Sequence, residues 1–347
     1  MGMTARKSPS SGAGKPAASS AARQHFAALA GTMIASVALC WGGCGRTDLH
    51  GPARSREPLT WTQVTPSAAF PPRQAMSVVS FKGRIWVIAG GDFSSGTFYN
   101  DVWSSADGSS WRLEKGENGG FSPRWGQSVV LFHDKLWLTG GGFYDNSGWH
   151  PQAEVWSSDD GVYWYRTESA AFQPRMYHGS VVFRDELWIV LGTGDQGAIN
   201  DVWSSPDGYS WTLRATMLPA VWNQSTLVFD DQLWSLYGDN GRTVDSVSSS
   251  SDGMAWHTDG SPTRVGNRAG QCGLVYRDAM WVIGGYASGM YNDVWCSTDG
   301  ATWSADQRAA PFTARQEAGC LVHDGRVWLI GGLDATFEVR NDVWSAR

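Results

Sequence analysis

Five arginines occupy one recurring position in the chain: Arg73, Arg124, Arg175, Arg268 and Arg315. A ring of guanidinium groups would suit the carboxylates of acidic sugars or peptides, since each offers a planar fork of donors. Two residues beyond two of these arginines stand Tyr177 and Glu317, and His178 follows Tyr177. A His or a carboxyl at the mouth of a pore can exchange protons with a bound substrate, so His178 and Glu317 are the catalytic candidates. The plainer alternative is that each Arg holds its own structural unit, and that a lone His or Glu is simply hydrogen-bonded. Choosing between them requires the elements that position these side chains.

Residues 200–211, Asn-Asp-Val-Trp-Ser-Ser-Pro-Asp-Gly-Tyr-Ser-Trp, read as a β-hairpin, with Val202 and Trp203 on one strand and Asp207-Gly208 in the turn. Near-copies lie at 100–111, 154–164 and 292–303, a damaged one at 245–256, and a truncated one at 341–347. A period of about 45–53 residues signals a repeat architecture. Upstream of each hairpin a Trp (Trp86, Trp137, Trp188, Trp234, Trp281, Trp328) is followed four residues later by Gly. Thirteen residues before each of these tryptophans comes the Arg position, occupied by Val221 in the fourth repeat. Each repeat thus supplies an apolar strand a, a Trp-containing strand b, a Val-Trp strand c, and a strand d at the final Trp. Strands a and b are apolar on both faces, which requires neighbouring sheets to pack on them. The predicted fold is all-β: a six-bladed propeller of four-stranded antiparallel blades. The last repeat lacks strand d, and residues 60–64 at the start are an unpaired strand d, so the N-terminal strand is expected to complete the last blade.

On that frame the arginines begin strand a, and Asp101, Asp201, Asp293 and Asp342 begin strand c on the same rim. A guanidinium can cross the intervening Gly pair, so Arg175 is expected to meet Asp201 bidentately, with Trp203 available for stacking. In the fourth repeat Val221, Ser246 and Ser248 replace all three partners together, as a coupled structural triad predicts. The Asp-Gly turns read as type I′ hairpins on the opposite rim.

Function is expected where the repeat is broken. Trp125 and Trp222 follow the Arg position in blades two and four. Trp149 lies in the longest b–c connection, residues 143–152, with Tyr144, Asp145, Asn146 and His150. Tyr177 and His178 flank them in blade three, and Asn223, Gln224 and Asp239 accompany Trp222. The expected ligand-binding set is therefore Trp125, Tyr144, Trp149, His150, Tyr177, His178, Trp222, Asn223, Gln224 and Asp239. Aromatic faces mixed with amide, carboxylate and imidazole groups suit a glycan, and equally a protein loop. Alternatively, Trp125 and Trp222 plug the wide end of the channel.

The first 43 residues carry Arg6, Lys7, Lys15 and Arg23, no acid, and an apolar run from Phe26 to Leu39. That pattern reads as an export signal, followed by a linker over 44–58 and the propeller over 59–347. Gly43-Cys44 resembles a lipoprotein cleavage site with Cys44 lipidated, Cys40 and simple secretion being the alternatives. The expected location is the periplasm or cell surface, with membrane contact only through that lipid. Removing 1–43 takes away four basic residues and no acid, so the formal charge goes from −6 to −10. Such an acidic domain argues against nucleic acid as a partner, and a monomer is expected. Cys272, Cys296 and Cys320 form neither a disulfide framework nor a spaced zinc site; Cys272 and Cys320 lie on adjacent strands a and can face each other. No metal and no cofactor are expected.

Gly-Gly after an aromatic strand, Asn-Asp-Val-Trp, a downstream Trp and a following Arg together resemble the Kelch repeat over residues 59–347. The Ser-x-Asp-Gly-x-x-Trp turns are similar to the Asp-box of sialidases, shorter by one residue between Asp and Trp. Galactose oxidase shares the Kelch resemblance, but its copper set has no counterpart here, because His133, His178 and His323 fall at different registers. Sialidases pair a Tyr with a Glu, and Tyr177 and Glu317 share a register. Likeness to the exported six-bladed N-acetylneuraminate epimerases implies sugar anomer exchange, with His178 or Glu317 as base. Two functions therefore stand: a non-catalytic module binding glycan or protein through the rim of blades two to four, or a sugar mutarotase or related carbohydrate-active enzyme.

Overall fold

Blade 3 shows how the repeat folds. Strand a, Gly179–Phe183, pairs antiparallel with strand b, Glu186–Val190, placing Val181 opposite Trp188. Strand b pairs with strand c, Val202–Ser205, and strand c with strand d, Thr212–Ala215. In this computed structural model, which describes residues 57–347 except 116–119, 146, 168–169, 217 and 260–263, the a-b-c-d order recurs in six sheets and no helix occurs among the described residues. The expected export segment, Cys40, Cys44, nearly all of the expected linker and Asn146 lie outside the described residues. The other strands a are Ser77–Phe81, Trp125–Phe132, Ser225–Phe229, Cys272–Tyr276 and Gly319–His323. Each touches the next around the axis, and Gly319–His323 touches Ser77–Phe81, so the strands form a closed ring. In blade 6, Trp61–Thr65 lies antiparallel to Val339–Ala346, with Gln63 opposite Trp344.

Strand b is buried on both faces, as in Leu187, Trp188, Ile189 and Val190, because a blade packs on either side of it. Its Trp spans the interface. The Trp188 indole N–H donates to the Phe183 carbonyl at 2.9 Å, and the equivalent bond occurs in all six blades. In five of them the ring then lies against the turn glycine of the following blade. A Cβ at Gly208 would fall 2.1 Å from Trp137, and at Gly253 2.1 Å from Trp188.

Those turns differ from the type I′ hairpins expected. Gly208 has φ +79°, but Asp207 is not left-handed, as type I′ would require. The side chains take over instead: Asp207 Oδ1 accepts from the amides of Tyr209 and Ser210, and Ser205 Oγ accepts from Gly208 N. Trp211 closes the turn, donating to the Gly208 carbonyl at 3.3 Å, and strand d starts one residue later. The 143–152 connection is also more ordered than a loop. Strand b of blade 2 runs over Lys135–Asp145 and turns back as Gly148–Pro151, with Trp149 opposite Tyr144.

Candidate functional site

The five arginines are fully buried, so they offer no cationic ring to solvent. Arg73, Arg268 and Arg315 each grip an aspartate through two nitrogens, Asp101, Asp293 and Asp342, at 2.5–3.1 Å. Every Nη1 also donates to a carbonyl sixteen residues on, at or just past the end of strand b, such as Leu191. Arg175 departs from the bidentate expectation. Its Nη1 serves both Leu191 O and Asp201 Oδ1, and Nη2 is left without a partner. Arg124 pairs with Glu154, a carboxylate that the aspartate pattern overlooked. Stacking on the strand c Trp is corrected too. Trp103, Trp156, Trp295 and Trp344 use their N–H on the carboxylate, which sets the ring edge-on to the ion pair. The guanidinium instead lies over the Phe three residues before it in Arg73, Arg124, Arg175 and Arg315.

Two residues past the arginine position stand Ala75, Gly126, Tyr177, Asn223, Gly270 and Glu317, all left-handed with φ between 51° and 63°. Each donates its amide to the carbonyl of its counterpart in the preceding blade, and Ala75 donates to Glu317, at 2.7–3.1 Å. Six bonds close a circle around the axis. The strained backbone of four non-glycine residues is held by that circle. Its three larger side chains meet in the channel. Asn223 Nδ2 donates to Glu317 Oε1 at 2.9 Å, and the Tyr177 phenol is close enough to couple with the Glu317 charge.

Burial pushes the Glu317 carboxyl up to about 7, although the Asn223 and Tyr177 bonds pull the other way. Burial likewise raises the Tyr177 phenol, aided by Glu317. His178, beside them, is pushed down to about 3, by burial and then by Arg175. Its Nε2 lies 2.9 Å from Thr139 Oγ1, so it is a neutral, tethered imidazole. Tyr177, His178, Asn223, Gln224 and Glu317 line one cavity of about 130 Å³, together with Gln127 and Gln271.

The rim aromatics separate into two groups. Trp125 is 0% exposed, stacked on Phe98 at 4.3 Å and edge-on to Phe93 and Trp149 at 4.9 Å. It therefore presents no free face, because the small hairpin of blade 1 that carries Phe98 covers it. Trp149 takes the outer place at 43% exposure, with Tyr144 edge-on at 5.1 Å. His150 stacks on Phe143 and bonds Asp145 Oδ1 at 2.9 Å; Ser147 and then His150 hold that carboxyl at about 2. This group spans blades 1 and 2. The second group, on blades 4 and 5, has half-buried Trp222, whose backbone pairs with that of Asp239. The Asp239 carboxylate is engaged, taking Tyr286 O–H at 2.9 Å and Gly241 N at 2.7 Å. Tyr286 and Phe98 are absent from the expected set, although Tyr286 directly follows the Gly pair of its repeat and Phe98 lies two residues before the Asn-Asp of its own.

Among the described residues no three His, Cys, Asp or Glu side chains gather so as to hold a metal ion. Cys272 and Cys320 face each other as thiols, with burial and Cys272 raising the Cys320 thiol.

The fold is shared with YjhT. That solved structure superposes with a TM-score of 0.67 at 13% identity, over 81% of this chain and 96% of its own. At this identity the likeness establishes the propeller architecture alone. No family model matches the chain, and no curated protein does.

Proposed function

We propose that the chain is an exported Kelch-type propeller that binds a glycan, or a protein loop, at the rim bearing the axial mouth. The observation that carries this reading is Trp149, an exposed ring braced edge-on by Tyr144 and buried Trp125, with His150 and Asp145 beside it. A ring fixed this way stacks on a sugar face with little loss of rotamer freedom. Trp222, Asn223 and Tyr177 extend the surface across the axis toward blade 4. The leader supports export, and lipidation at Cys44 would tether the domain to a membrane; intact mass of the mature protein tests it. A glycan array on residues 45–347 should give signals that fall at least tenfold in Trp149→Ala. Equal signals from parent and variant would remove the aromatic platform.

A second reading, sugar mutarotation, is favoured by Glu317. A carboxyl titrating about 7 beside a phenol can take a proton from an anomeric hydroxyl and return one to the ring oxygen. Saturation-transfer NMR on candidate sugars should then show anomer exchange that Glu317→Gln abolishes. Exchange at the uncatalysed rate with every sugar bound would leave only the binding role.

A further inference from the structure

Gln127, Gln224 and Gln271 share a register three residues past the arginine position in blades 2, 4 and 5. Each side chain reaches across a blade interface. The Nε2 groups donate to the carbonyls of Ile88 at 3.1 Å, Val190 at 2.9 Å and Leu236 at 2.9 Å. Those carbonyls can only accept, so the amide orientation is fixed and no flip is available. In all three the Oε1 atom is then buried without a partner. Glu317 Oε2 and His178 Nδ1 are buried without partners as well. These five residues are at least nine-tenths buried, and all line the axial cavity. Three amide oxygens and one carboxylate oxygen of the lining residues are thus acceptors without a partner, and such a set calls for a ligand that offers positive charge or donors.

We propose that this cavity is a binding site for a hard monovalent cation of sodium or potassium size, held by Gln127, Gln224, Gln271 and Glu317. Three neutral amide oxygens and one carboxylate supply hard ligands carrying a single negative charge. Divalent oxygen sites carry more carboxylates, and transition metals select nitrogen or sulfur. Of the other charged groups nearby, Asp239 is engaged by Tyr286, and Arg175 pairs with Asp201 through Nη1. About 130 Å³ holds an ion with a few waters. Gln127, Gln224 and Gln271 lie one residue further along their strands than the circle of amides, of which Glu317 is a member. The site includes none of Trp149, Tyr144 or His150, so it is separate from that aromatic platform while sharing Glu317 with the mutarotation reading.

Thermal unfolding is measured above pH 7 in sodium, potassium and tetramethylammonium chloride at equal ionic strength, alongside the ²³Na NMR linewidth. The midpoint should be higher in sodium or potassium than in tetramethylammonium, which is too large for the cavity. At ten times the dissociation constant, bound ion multiplies the folding constant about elevenfold. The sodium line should broaden with protein, sharpen on adding potassium, and broaden less with Gln271→Leu or Glu317→Gln. Should a variant fail to fold, the potassium competition on the parent still decides. Equal midpoints in all three salts with an unbroadened sodium line would mean that water alone satisfies the acceptors, and would overturn the proposal. So would stabilisation by calcium but not by sodium or potassium.

Discussion

Glu317 and His178 are perturbed in opposite senses inside one cavity, and their effects on stability oppose each other. The folded chain keeps the Glu317 proton up to about pH 7, whereas the unfolded chain loses it near 4.5. Glu317 therefore makes stability fall as pH rises across that window, by about 1.4 kcal/mol per unit. His178 stays neutral down to about 3 when folded, but protonates near 6.5 when unfolded. Its contribution is complete above 6.5 and is lost as pH falls toward 3, with the opposite slope. The two cancel between about 4.5 and 6.5. Relative to the parent, Glu317→Gln should therefore gain stability as pH rises from 5 to 7, and His178→Gln should gain it as pH falls. Urea unfolding at three pH values checks both signs; parallel curves for Glu317→Gln and parent would deny the buried carboxyl. The ion pairs behave differently. Asp101→Ala strands a buried Arg73 and should cost about 3–5 kcal/mol in denaturant unfolding. The arginine column was legible in sequence because its partners vanish together in the fourth repeat. The glutamine column was not: only Gln224 was noticed, since an amide repeated in three blades looks like any polar residue until its oxygen is seen to lack a partner.

At the scale of the element, five of the six blade interfaces are bridged by a Trp ring seated on a turn glycine. Gly208→Ala meets two obstacles, a left-handed φ of +79° and a Trp137 ring 2.1 Å from the new Cβ. The backbone accounts for about 1 kcal/mol and the overlap for about 1–3 kcal/mol. Tyr209→Ala, one residue on and mostly exposed, should cost much less. Similar denaturation midpoints for the two would show that the ring is not wedged there. The four strands of each blade follow from spacing: Gly after the b-strand Trp and Asp-Gly before the last Trp leave little choice of hairpin. The connections escaped that logic. Residues 143–152 contain no alternation of apolar and polar side chains, yet Trp149 and Tyr144 pair across a hairpin because their rings need a common support. For the same reason the burial of Trp125 was hidden: its cover comes from Phe98, a different blade.

For the whole molecule, blade count and strand order could be read from the chain because six copies repeat one pattern in register. What surrounds the axis could not, since residues about fifty apart meet there only after the ring has formed. The outermost strand of blade 6 comes from Trp61–Thr65, beside the other end of the propeller. A chain starting after Thr65 should expose the edge of Val339–Ala346 and bury Trp61's place beside Phe312 no longer. Light scattering should then show more association than in the intact domain; equal scattering from the two would contradict this. The circle of six amides has one last consequence. All six N–H groups point the same way around, so their dipoles run tangentially and sum to zero at the centre. The circle itself thus gives the bore no preference for either sign of charge. Glu317, the one acidic side chain lining the cavity, sets its charge, so a single substitution there can change it.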